Sequence, residues 1–228
     1  MYKDLNAAPI NPLPWVVWLI CLPVIAMEVV LSAGGSGLVG GPGAIGWRLE
    51  ALQRLAFSPD MLRLMVSEGV WPMDGLVRLV GYVFVHGSAT HAIFVVVMLL
   101  ALGKMVGEIF RWWAVLLVFF GSAVVGALVY AAVPFTQYGL VGGYPAVYGL
   151  IGAFTFLIWV RLAGTGTNQW RAFTMIGFLL VAQLLFGLLF GGSTEWVADI
   201  AGFGTGFLLS FVVSPGGFAR VKARLRER

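Results

Sequence analysis

Val141-Gly142-Gly143-Tyr144-Pro145-Ala146-Val147-Tyr148-Gly149-Leu150-Ile151-Gly152-Ala153 is a glycine-rich loop that runs into an apolar helix. Gly142 and Gly143 admit backbone conformations closed to other residues. Pro145 carries a φ suited to the first helical turn, so the stretch predicts a helix starting near Tyr144. Tyr144 then stands at the mouth of that helix. Further in, Gly149, Gly152 and Ala153 leave one face nearly bare, which in lipid lets a second helix approach closely.

The rest of the chain sets this helix in a membrane. Of 228 residues, 60% are hydrophobic and 11% charged, a composition that excludes an ordinary soluble domain. Several apolar runs reach the roughly 20 residues a helix needs to cross the hydrocarbon core, and the alternating pattern of a membrane barrel is missing. Six spans are expected: 15–33, 87–102, 110–133, 145–162, 170–190 and 196–213. A signal peptide is the weaker reading of the first run, because Pro23 and Glu28 interrupt it and a basic leader is nearly absent. Glu28 inside a span needs a partner and is read as structural. The lone Cys21 sits in the same run and can form no internal disulfide.

Between the first two spans lies a long connection, 34–75, in which Leu49, Leu52, Leu55 and Ala56 recur at helical spacing. That pattern predicts an amphipathic helix lying in the membrane interface. The expected division is therefore a cytoplasmic segment 1–14, a membrane domain 15–213 and a basic cytoplasmic tail 214–228. Sidedness comes from charge. Lys3, Lys104, Arg111, Arg161, Arg171 and five tail residues (Arg220, Lys222, Arg224, Arg226, Arg228) fall on one face, ten in all, against Arg48, Arg54, Arg63 and Arg78 on the other. By the positive-inside rule both termini are cytoplasmic and the Tyr144 loop faces outward. The net charge of +4 reads as this topology signal and as lipid-headgroup contact, with no nucleic-acid partner.

The chemistry-bearing residues are few. His86 and His91 stand at the start of the second span, and no third nitrogen, sulfur or paired carboxylate lies near them in sequence, so no metal site is expected. No cofactor motif is present either. Gly202 and Gly206 in the last span have the spacing of close helix packing, preceded by Asp199.

Taken together, these motifs resemble the rhomboid family of intramembrane serine proteases. The family's active-site pattern is Gly-x-Ser-Gly-Ala-(Ile/Val)-(Phe/Tyr)-Gly-Leu-(Ile/Leu)-Gly-Ala. Gly142 and the run from Ala146 to Ala153 fit it, but Tyr144 holds the serine position and Pro145 the glycine after it. The family's His-Gly-x-x-x-His-x-x-x-Asn fits at His86, Gly87 and His91, with Val95 in place of the asparagine that helps stabilise the oxyanion. Its Ala-His-x-x-Gly-x-x-x-Gly fits at Ala198, Gly202 and Gly206, with Asp199 in place of the histidine base. Trp47-Arg48 matches a pair found in the first loop of many rhomboids, and Gly103 and Glu108 also follow the family.

The resemblance implies an all-α, six-helix bundle whose nucleophile, base and one oxyanion donor have been replaced. It further implies that Tyr144 and Asp199 meet, with a phenol to carboxylate hydrogen bond as the expected contact. Since hydrolysis needs a hydroxyl activated by a base, the first functional reading is a proteolytically inactive relative in a bacterial inner membrane. It would bind transmembrane segments of other proteins or serve in a larger membrane complex. The second reading is an active protease using Ser88 or Ser122, and the third a small transporter hinted at by Glu28 and Asp199 alone.

Overall fold

The computed structural model describes residues 12–136, 138–190 and 194–217. Residues 1–11, with Lys3 and Pro9, and residues 218–228, with the five basic tail positions, lie outside the described residues. Nine α-helices follow in order among those described: α1 (Trp15–Gly35), α2 (Trp47–Leu55), α3 (Pro59–Glu68), α4 (Met73–Gly81), α5 (Ala89–Gly107), α6 (Trp112–Ala132), α7 (Tyr144–Gly164), α8 (Thr174–Phe190) and α9 (Trp196–Val213). Short 3-10 turns at Pro42–Gly46, Tyr82–Phe84 and Gln169–Phe173 join some of them.

Five of these helices, α1, α5, α6, α7 and α9, are long and apolar enough to cross a membrane. A sixth apolar helix, entered through the turn at Gln169–Phe173 and continuing as α8, is shorter. The six expected runs are all helical, and the bundle is a multi-pass membrane fold. Helix starts follow local chemistry. Ser88 accepts the His91 N–H at 3.2 Å, so α5 opens after that cap, two residues later than the apolar pattern alone suggests. Pro145 sits in the first turn of α7, where a missing N–H costs nothing.

At the centre stands α7, whose residues from Pro145 to Ala153 are all buried, flanked by α6 and α9. The seam is closed by missing side chains. A Cβ on Gly206 would overlap the Gly149 carbonyl, one on Gly202 the Pro145 carbonyl, and one on Gly152 the Phe203 carbonyl. On the other side, a Cβ on Gly149 would run into Ser122 of α6, and one on Gly126 would come within 2.9 Å of the Ala198 carbonyl. Backbone therefore meets backbone here. In lipid, where no hydrophobic force draws helices together, such close packing carries the association.

The first loop is more structured than its hydrophobic pattern suggests. The expected amphipathic helix is α2, but α3 and α4 follow it, and the loop is tied to the bundle by arginines. Arg63 donates through Nε to the Ala131 carbonyl at 2.9 Å and through Nη2 to those of Val133 and Thr136 at 2.8 and 2.9 Å. Arg78 donates to the Ala56 and Gln53 carbonyls. The last carbonyls of a helix have no partner within it. Two arginines thus satisfy backbone at the ends of α6 and α2. One pair of reciprocal backbone bonds, Phe57 with Leu140 at 3.0 and 2.9 Å, joins the first loop to the segment leading into α7.

Candidate functional site

The loop before α7 is held from both sides. Gly142 takes φ +90°, a region that disfavours side chains, and donates its N–H to the Tyr82 carbonyl at 2.9 Å. A Cβ there would stand 2.6 Å from His91 Nε2 and 3.1 Å from His86 Cδ2. Gly143 donates its N–H to His86 Nε2 at 3.3 Å, and a Cβ on Gly143 would reach Val95 Cγ1 at 3.0 Å. The two glycines let the loop lie directly on α5.

This packing gathers the residues singled out from the sequence. The His91 ring meets His86 edge-on, with centroids 4.9 Å apart, and stacks nearly parallel on Tyr144 at 4.8 Å and 18°. Val95, one turn below His91 on α5, is fully buried against the loop. Asp199, buried on α9, lies within electrostatic reach of Tyr144 and of Tyr148, one turn further along α7. Burial, with the Asp199 charge adding, also raises the Tyr82 phenol. Tyr82 and Tyr148 were not singled out from the sequence. Tyr148 could have been, since an i, i+4 spacing from Tyr144 puts both on one helix face. Tyr82 enters from the end of the first loop and carries no such signal.

His86 is fixed by three elements. Its Nε2 accepts from Gly143, so its ring is neutral there, and burial, with His91 beside it, pushes the imidazole down to about 4. Its carbonyl accepts from Arg48 Nη1 at 2.8 Å. The same guanidinium holds Glu28 through contacts of 2.6 and 3.0 Å, and Ser32 donates to Glu28 as well. The hydrogen bond with Glu28 holds the Arg48 proton above its ordinary range. Glu28 is thus the partnered structural residue of α1, and Trp47-Arg48 joins α2, α1 and His86. Trp47 packs where Cβ atoms on Gly34 and Gly40 would stand, 2.7 Å from its ring.

Chemically, the assembly is a phenol, two imidazoles and a carboxylate enclosed by apolar walls. The Gly143 N–H is spent on His86 and cannot also hold a developing oxyanion in this arrangement. The two alternative serines stand elsewhere. Ser88 caps α5, and Ser122, fully buried on α6, packs against Gly149. Among the described residues no group of three or more His, Cys, Asp or Glu is placed to hold a metal ion.

No curated protein matches the sequence. The Rhomboid domain family model matches residues 74–216, from α4 through the end of α9. The match covers more than half of the chain, and the chain belongs to the rhomboid family.

Proposed function

We propose that this rhomboid-family membrane protein is proteolytically inactive and binds transmembrane helices of partner proteins, as an assembly, escort or accessory subunit. The observation that carries the reading is the stack of Tyr144 on His91, at the position where the family places its nucleophile. A phenol has an ordinary pKa near 10 and is a poor acyl acceptor. Val95, against Gly143, can donate no hydrogen bond to an oxyanion, and the α9 position where the family places an imidazole base carries the carboxylate of Asp199, within reach of Tyr144. What is kept is the bundle, which in lipid presents apolar helix faces to other helices. In this reading the chain lies in a bacterial inner membrane with both termini cytoplasmic, following the ten-to-four distribution of basic residues.

The test uses the full-length protein in its own membranes. Fluorophosphonate probes, which trap activated serines, are expected to leave it unlabelled. Purification in mild detergent is expected to bring along one stoichiometric membrane partner or a set of single-span clients. Labelling that disappears in Ser88→Ala or Ser122→Ala would overturn the reading and make the chain a protease with a displaced nucleophile.

A further inference from the structure

The first loop carries an apolar surface that the fold leaves uncovered. Across its nine residues α4 has two unlike sides. The inner side is occupied: a Cβ on Gly75 would overlap Met65 of α3, Arg78 reaches the carbonyls at the end of α2, and Leu79 packs on the core. The outer side is Met73, Leu76, Val77 and Val80, at i, i+3, i+4 and i+7, the spacing by which one helix presents an apolar stripe to another. All four are exposed, Met73 to 71%. The corner leading into α4 extends the stripe, since Gly69 ends α3 in the left-handed conformation and Trp71 after it is 52% exposed.

Charge says what this surface fits. From residue 34 to residue 88 the sequence has four arginines, four carboxylates and no lysine. Every guanidinium is engaged: Arg48 on Glu28 and the His86 carbonyl, Arg54 on Glu50, Arg63 on Asp60 and the end of α6, Arg78 on the end of α2. Two carboxylates are left over. Glu68, the last residue of α3, and Asp74, in the first turn of α4, stand exposed at either end of the corner and have no ion-pair partner among the described residues. A helix that lies on a membrane surface carries Lys and Arg beside its apolar face. Here the free charges have the opposite sign, and anionic headgroups would be repelled by them. The complement of this surface is an apolar segment with basic residues next to it.

We propose that the α3–α4 corner and the outer side of α4 dock a cationic, apolar helix segment of a second membrane protein. Its apolar side chains would pack on Trp71, Met73 and Val77, and its lysines or arginines would face Glu68 and Asp74. The surface lies on the Tyr144 side of the bundle, because the same loop is bonded through Phe57 to Leu140 just ahead of α7. The proposal rests on the reading that the chain binds partner proteins, and adds where they touch it and which chemistry selects them.

Photo-crosslinking of the full-length chain in its own membranes tests this. With p-benzoylphenylalanine at position 73, the adduct is expected on a protein segment whose apolar residues have lysine or arginine beside them, identified by mass spectrometry of the linked peptide. Glu68→Lys with Asp74→Lys should reduce that adduct about 10-fold, the weight of two exposed ion pairs turned repulsive, and Glu68→Gln with Asp74→Gln should reduce it less. The charge effect should fade as ionic strength rises, whereas the loss caused by Val77→Ser should not. All of these positions are exposed, so the variants are expected to reach the membrane at parental levels. Adducts to lipid alone, or no adduct, would overturn the proposal. So would an adduct on an acidic segment, or one that survives the double charge reversal. A partner that still co-purifies with the charge-reversed protein would remove docking at this corner and leave the partner-binding reading standing. If neither an adduct nor a co-purifying partner is found, both fall.

Discussion

The α7–α9 seam and the loop at the mouth of α7 lie within a few residues of each other, yet they have followed the family to different degrees. Along the seam Gly149, Gly152, Gly202 and Gly206 are all in place, and each stands where a Cβ would overlap backbone or a buried neighbour. At the mouth, Tyr144, Val95 and Asp199 replace the residues the family resemblance calls for, and the loop still closes on His86 and His91. The difference lies in what each position must satisfy. A glycine in the seam answers to space, which no alternative side chain can free. A residue at the mouth answers to chemistry, and in the inactive reading proposed above the fold persists without it. On that reading scaffold and catalysis are separable in this chain.

The seam supplies the most damaging change. Gly206→Leu would drive a branched side chain into the Gly149 backbone, where nothing flexible can yield. The expected outcome is loss of folded protein from the membrane fraction. Gly204→Leu, on the opposite face of α9 with open space at its Cβ position, should express normally. Equal yields for the two variants would show that backbone contact does not hold α7 to α9.

Next in size is the link between the first loop and the bundle. Arg48→Ala leaves Glu28 without its guanidinium, with the Glu28 side chain only 13% exposed. Breaking a fully buried pair costs about 3–5 kcal/mol, so this partly exposed one should cost on the order of 2 kcal/mol. It should appear as a lowered melting temperature in detergent. Arg48→Lys should recover only part of it, because an ammonium cannot reach Glu28 and the His86 carbonyl with one planar fork. A full recovery by lysine would mean that charge alone matters here.

These sites also mark what was legible in the sequence. The start of α7 at Tyr144 and the limits Trp196–Val213 of α9 follow from glycine, proline and tryptophan punctuation, which acts locally. The seam was legible because small residues at helical spacing have one physical use in lipid. Less of the first loop could be read. Ser58-Pro59 is a helix start, with Ser58 Oγ accepting the Met61 N–H, but the short helices α3 and α4 are too brief for their periodicity to stand out. Arg63 and Arg78 bind backbone carbonyls, and a carbonyl looks the same in every sequence. Their targets could only come from the fold. At the site, the residue types were readable and their geometry was not: that Tyr144 lies flat on His91 depends on where the Gly142 turn sets the end of α7.

A smaller effect is expected from acid. His86 is neutral and buried, its folded pKa pushed down to about 4 against an ordinary value near 6.5. The unfolded chain therefore binds the proton first. The contribution of this group is complete above about pH 6.5 and is lost as the pH falls from there toward about 4. Melting temperature should decline across that window more steeply for the parent than for His86→Gln, whose amide oxygen can still accept from Gly143. Parallel declines would show that His86 is not what acid attacks.

The mildest change tests the mouth itself. Tyr144→Ser removes only a ring stacked on an imidazole, worth about 0.5–1.5 kcal/mol beyond its burial. The protein should stay folded. It should also stay inactive toward model transmembrane substrates, because a serine hydroxyl without a base remains protonated and weakly nucleophilic. Adding Asp199→His supplies an imidazole on α9, the element whose carboxylate already reaches Tyr144, and is expected to give a trace of cleavage at most. Two obstacles remain: Pro145 restricts how the loop presents residue 144, and the Gly143 N–H is committed to His86. Val95→Asn then places a donor beside Gly143, where Val95 Cγ1 now packs, and should raise any such trace by up to about 10²-fold. If Tyr144→Ser alone cleaved substrate, a base other than residue 199 would have to exist in the mouth. The separation of scaffold from catalysis would then be a single substitution deep.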